Sequence, residues 1–162
     1  MIIFAVTAII LLVACDQLIK YWCVNNLVLH ESVDFIKIGD FKIFDLTLHY
    51  NTGAIFGSMA GKRFFLIFSV LIITAVCIYA LIRYGKSSKL FYSSMILMIS
   101  GGIGNLIDRL FNGGKVIDMF DFQIFNFAIF NFADICVTVG AVLFCIYSIF
   151  IDGRKNGEKK NV

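Results

Sequence analysis

"FFLIFSVLIITAVCIYALI", Phe64–Ile82, runs 19 residues without a charged side chain, with Arg63 in front and Arg83 behind. A helix needs about 20 mostly apolar residues to cross the hydrocarbon core of a bilayer, within a range near 17–25. Two further runs meet that limit: Leu90–Ile107 with 18 residues and Ile135–Ile151 with 17. Met1–Cys15 adds 15 more and is long enough once Asp16–Trp22 is counted as its interfacial end. The chain is 60% hydrophobic over 162 residues, above the range of soluble domains. The reading is an all-α polytopic membrane protein of one domain, 1–162, with four transmembrane helices at about 2–22, 63–83, 89–110 and 133–151.

The placement of charge orients these spans. Arg83, Lys86 and Lys89 fill the short link between the second and third, with no acid among them. Arg154, Lys155, Lys159 and Lys160 follow the fourth, diluted by Asp152 and Glu158. Both regions are expected on the cytoplasmic side, and alternation puts the N-terminus there as well as the tail 152–162. Segments 23–62 and 108–133 then face the other side.

Five cysteines, Cys15, Cys23, Cys77, Cys136 and Cys145, form no CxxC pair, so neither a disulfide framework nor a zinc site is expected. They read as small buried hydrophobes. "LLVAC", Leu11–Cys15, looks like a lipoprotein cleavage site, but no positively charged stretch precedes it and three more spans follow. The first span is therefore expected to stay.

Between the first two spans, "FIKIGDFKIFDLTLHY", Phe35–Tyr50, alternates aromatic and β-branched residues around Gly39-Asp40, which predicts a short hairpin or small sheet. The irregular "NTGAIFG", Asn51–Gly57, then reads as a loop against the membrane face. In "GGIGNLIDRL", Gly101–Leu110, the glycines leave little bulk and allow close helix approach. Asn105 and Asp108 share a face of that helix, and "NGG", Asn112–Gly114, ends it.

Ionisable groups at membrane depth or its edge are costly and are functional candidates by default. Here they are Asp16, Lys20, Asp108, Arg109, Asp118, Asp121 and Asp134. Asp16 and Lys20 have the acid-first i, i+4 order of a helical ion pair. Asp108 has Arg109 and Asn105 close by, so a structural network accounts for it as well as chemistry does. Asp134 has no cation within one helical turn, and the nearest to Asp118 is Lys115, in the Gly-rich turn before it. Asp134 opens the fourth helix, where a carboxylate also serves as a cap. Asp121 reads as a solvated neighbour.

Two carboxylates that converge share a proton and titrate as a pair. The ionised one takes a proton from water, and the protonated one hydrogen-bonds to a carbonyl oxygen, as in aspartic proteases. A cation paired to either would make it a poor base. His30 and His49 have no metal spacing, and HExxH and GxSxG motifs are absent, so no metal or cofactor is expected. Spacing leaves Asp108 with Asp134 open as an alternative pair. It also leaves open a proton-coupled carrier, or an assembly protein whose acids are only caps.

"DQLIKYW", "NTGAIFG", "GGIGNLIDRL", "KVIDMFDF" and "FNFADICVTVG" occur in the order found in bacterial lipoprotein signal peptidases, and the chain resembles that family from about Leu11 to Ile151. The resemblance implies a membrane aspartic endopeptidase with four helices and an extracytoplasmic β-cradle over about 32–58. It would remove the signal peptide of diacylglyceryl-modified prolipoproteins on the N-terminal side of the lipidated cysteine. It assigns the catalytic pair to Asp118 and Asp134, and supporting roles to Asp16, Lys20, Asn51, Gly53, Asn105, Asp108, Arg109, Asn131 and Ala133. It implies as partners the prolipoprotein substrates, the phospholipid bilayer and peptide antibiotics of the globomycin type, with no nucleic acid. The implied location is the bacterial inner membrane, with the active site near the extracytoplasmic face.

Overall fold

The computed structural model describes residues 1–53 and 63–152. Among the described residues four helices are long and apolar enough to cross a membrane: α1 (Ile2–Asn26), α2 (Arg63–Tyr84), α3 (Lys89–Phe111) and α4 (Phe132–Tyr147), the last prolonged to Ile151 by a π turn. The burial pattern of α1 is inverted relative to a soluble helix. Its buried residues include both of its charged ones, Asp16 and Lys20, while Ile3 is 83% exposed. Asp16, Lys20 and Cys23 follow an i, i+4, i+7 spacing and so lie on one face. Such a helix is stable only where the outside is apolar, which is the environment of a lipid chain.

α3 is the central helix. It packs against each of the other three, most extensively against α4. Glycines set that approach. A Cβ on Gly101 would lie 2.3 Å from the Ala133 carbonyl oxygen, and one on Gly140 would lie 2.9 Å from the Ser94 carbonyl oxygen. Backbone against backbone at this range excludes any side chain.

A three-stranded antiparallel sheet, β1 (Ser32–Ile38), β2 (Phe41–Asn51) and β3 (Val116–Phe122), sits at the end of the bundle formed by the last turns of α1 and α3. The hairpin turns at Gly39-Asp40, where Gly39 has φ +61°, a conformation that suits glycine. The sheet differs from the expected cradle in one respect. Its third strand comes from between α3 and α4, not from between α1 and α2. "VIDMFDF" is too apolar to show alternation, because Val116–Met119 are all buried: Ile117 and Met119 pack with Cys23 of α1 and with β2, while Val116 and Asp118 face the opposite side. The stretch 54–58 of the expected cradle and the tail 153–162 lie outside the described residues.

Candidate active site

Three chain segments meet where the sheet touches the bundle. Asp118 comes from β3, Asp134 from the first turn of α4, and Asn105, Asp108 and Arg109 from the last turns of α3. The start of α4 is fixed by a capping box. Asn131 Oδ1 accepts from the Asp134 N–H at 2.9 Å, and Asp134 Oδ2 accepts from the Asn131 N–H at 3.2 Å. The cap reading of Asp134 is therefore correct for one of its oxygens. The other, Oδ1, accepts from Asn105 Nδ2 at 2.7 Å and lies beside the cleft.

Asp118 is held in the same way. Its Oδ1 accepts from Asn131 Nδ2 at 2.7 Å and its Oδ2 from Asn51 Nδ2 at 3.0 Å. All four oxygens of the two carboxylates thus carry an amide N–H, and among the described residues neither is in an ion pair. Amides fix direction without supplying the charge that would hold both groups ionised. Burial, and then the neighbouring Asp134, push the Asp118 carboxyl up to about 7, against the opposing pull of Asn51 and Asn131.

The two acids line a cleft of about 590 Å³. Its polar end holds Asn51, Gly53, Asn105 and Arg109, and it continues as an apolar trough past Val70, Gly101, Gly102 and Val137. Phe127 and Phe130 form its outer wall, their rings 6.0 Å apart and nearly perpendicular. The cleft therefore joins a polar reaction-sized space to an apolar channel between α2, α3 and α4. Among the described residues no group of three His, Cys, Asp or Glu side chains could hold a metal ion.

Behind the cleft, Asp16, Lys20 and Asp108 form a fully buried triad. Lys20 Nζ lies 2.9 Å from Asp16 Oδ2 and 2.8 Å from Asp108 Oδ2. The partner of Asp108 is thus Lys20 and not its neighbour Arg109. Arg109 donates instead to the Asn105 and Gly53 carbonyl oxygens, at 3.4 and 3.3 Å, and its buried Nε has no partner among the described residues. Gly53 in turn donates its N–H to Asn51 Oδ1 at 3.0 Å. Ala133 gives its N–H to Asp16 Oδ1 at 2.9 Å.

The expectation that Asp121 is merely solvated is corrected. It is half-buried and accepts from the Thr47 hydroxyl across the sheet at 3.2 Å. Asp118 and Asp121 are three apart on one strand, so they point to opposite faces. Gln17 was passed over by sequence reasoning. Its Nε2 reaches Asp16 Oδ2, the Gly104 carbonyl oxygen and Asp108 Oδ1 at 3.1–3.2 Å. The available signal was its place in "DQLIK", between the two charged residues of the first span.

A family model described as signal peptidase (SPase) II matches residues 8–150. Lipoprotein signal peptidases from Clostridioides difficile and Streptococcus thermophilus are 39% and 41% identical to this chain. The alignments cover 90% of this chain and 95% of the first relative, and 86% and 88% for the second. Two solved structures, described as bacterial membrane enzymes obtained by the in meso method, superpose with TM-scores of 0.82 and 0.81 at 28% identity. The superpositions cover 93% of this chain and 89% of the first structure, and 91% and 94% for the second.

Proposed function

Because the chain belongs to the signal peptidase II family, whose members remove signal peptides from prolipoproteins, we propose that it does so as an aspartic endopeptidase with Asp118 and Asp134 as its dyad. The observation that carries this reading is the four-amide hold, over one cleft, on two carboxylates that have no ion-pair partner among the described residues. With Asp118 pushed up to about 7, the pair still holds a shared proton in a substantial fraction of molecules at neutral pH.

The ionised member accepts a proton from a cleft water as its oxygen attacks the scissile carbonyl. The protonated member donates to the carbonyl oxygen, giving a neutral gem-diol. In the second half the proton just gained passes to the leaving nitrogen while a gem-diol hydroxyl returns its proton to the other carboxylate, and the C–N bond breaks to release the signal peptide as its carboxylic acid and the lipidated N-terminal cysteine. The dyad ends with one proton, as it began.

The cut falls on the N-terminal side of the diacylglyceryl-modified cysteine. The signal helix lies along the apolar trough lined by Val70, Gly101, Gly102 and Val137. Phe127 and Phe130 shelter the polar end from lipid. The cleft opens near the extracytoplasmic face, since the positive link Arg83–Lys89 lies at the other end of α3. Both termini are then cytoplasmic, and globomycin-type peptides block the site by occupying the trough and the dyad.

The test is cleavage of a lipidated prolipoprotein by the purified protein in detergent. Asp118→Asn and Asp134→Asn should each abolish product, and activity surviving in either variant would refute the assignment.

A further inference from the structure

The buried triad has a feature that a simple helix staple does not need. Asp16 Oδ1 accepts from the Ala133 N–H at 2.9 Å, and Asp108 Oδ2 accepts from the Ile117 N–H at 3.1 Å. Ala133 and Ile117 are the residues immediately before Asp134 and Asp118. Each triad acid therefore grips the backbone one residue ahead of one cleft aspartate. The two acids are tied to each other through Lys20.

An ammonium has three N–H donors. Lys20 Nζ has three acceptors: Asp16 Oδ2 at 2.9 Å, Asp108 Oδ2 at 2.8 Å and Asn105 Oδ1 at 3.2 Å. The third contact bears on the dyad directly. Asn105 Oδ1 accepts from both Lys20 and Asn131, which turns its amide nitrogen toward Asp134 Oδ1. Lys20 is 1% exposed and has no spare proton-donor direction, so it is not itself a candidate acid or base.

We propose that Lys20 is the positioning residue of the dyad: it fixes the separation of Asp16 and Asp108, and through their two backbone grips the separation and facing of Asp118 and Asp134. The inference rests on the reading of those two aspartates as the reacting pair. Without the ammonium, two buried carboxylates face each other and repel, and β3 and the start of α4 are carried apart with them. Gln17 bridges the same two acids but brings no charge, so it orients them without offsetting their repulsion. A displacement of about 1 Å at reacting groups costs on the order of 100-fold in rate. Lys20 also draws the Asp118 carboxyl downward by its charge, so its loss raises the pH at which Asp118 ionises.

The test uses Lys20→Met and the double variant Lys20→Met/Asp108→Asn in the full-length protein. The double variant keeps the net charge of the triad at its original value and keeps an oxygen facing the Ile117 N–H, so it avoids the buried repulsion that endangers folding of the single one. Cleavage of lipidated prolipoprotein, thermal unfolding and the pH–rate profile are measured in the same detergent. The expected result is a folded double variant whose kcat is lowered roughly 100-fold with KM changed less than about threefold. In Lys20→Met alone, the limb of the pH profile that marks dyad ionisation moves to higher pH. Parent-like kcat in a folded variant overturns the proposal and leaves Lys20 a fold staple, as does failure of both variants to fold. Asp118→Asn is run alongside: if it still cleaves, the dyad reading falls first, whereas its inactivity beside an active Lys20 variant overturns the positioning role alone.

Discussion

Asn131 Nδ2 lies 2.7 Å from Asp118 Oδ1, in a side chain with no exposed surface. The same side chain accepts from the Asp134 N–H through its oxygen. One amide thus joins a strand and a helix that are otherwise separated by the turn-rich segment 123–131. Asn131→Leu keeps most of the volume and removes every one of these bonds. The expected outcome is a loss of helix capping and of a buried hydrogen bond, about 2 kcal/mol together, seen as a lower unfolding temperature. Cleavage should fall by roughly 100-fold, since Asp118 loses the partner that aims it. Parent-like cleavage in a folded Asn131→Leu protein would separate the capping role from the site.

The raised Asp118 carboxyl gives a pH dependence of stability. Its ordinary value is 3.8, and in the folded protein it sits at about 7. The folded state therefore holds the proton more tightly than the unfolded one, and stability falls as pH rises from about 4 to about 7. Below that window there is no loss, and above it the loss is complete, roughly 4 kcal/mol at most. Asp118→Asn cannot ionise and lacks this slope. Thermal unfolding at pH 5 and pH 8 should show the parent's Tm falling more than the variant's, by about 5 °C. Parallel shifts would mean that Asp118 is already ionised near its ordinary value. Cleavage by the parent should decline above about pH 7, as the shared proton leaves the pair.

Glycine at position 101 sets the distance between α3 and α4. An Ala Cβ would meet the Ala133 carbonyl oxygen at 2.3 Å and Val137 Cγ2 at 2.7 Å, and the first of these is backbone and cannot rotate away. Gly102 faces Thr74 Oγ1 at 2.7 Å, a side chain that can turn. Gly101→Ala is expected to cost about 1–3 kcal/mol and to shift the start of α4, while Gly102→Ala costs less. Unfolding temperatures of the two variants provide the comparison. An equal cost would show that the contact with Ala133 is slack.

How much of this was legible in the sequence depends on the range of each interaction. The four helices were readable because a span is a local property: Phe64–Ile82 declares itself by length and the absence of charge. The hairpin was readable because Gly39-Asp40 and the alternation around it are local too. β3 was not, because its first four residues are buried on both faces and show no period of two. Asp108 was given two local candidates, Asn105 and Arg109, yet its ion-pair partner is Lys20, 88 residues away in sequence. The polar residues of the site could be named from their motifs. Which oxygen meets which amide is a product of three chain segments converging, and no single segment carries it.

Missing β3 is also why Asp121 and Asp118 looked similar in sequence. Both are acids in an apolar stretch with no adjacent cation. A strand sends residues three apart to opposite faces, so only one of them can face the cleft. Asp118 does, whereas Asp121 stands opposite Asp45 on β2 and takes the Thr47 hydroxyl at 3.2 Å. Asp121→Asn retains an acceptor oxygen for Thr47 and removes a charge beside the buried Asp45, whose own cation, Lys42, is 3.6 Å away. The expected outcome is cleavage within about twofold of the parent and stability unchanged or slightly raised, because one member of a like-charge pair is gone. Asp118→Asn, three residues earlier, should lose roughly 10³-fold or more, the scale of a missing acid–base group. Prolipoprotein cleavage by the two variants side by side decides the point. Equal losses would mean that the face of β3, and with it the geometry of the cleft, is wrong.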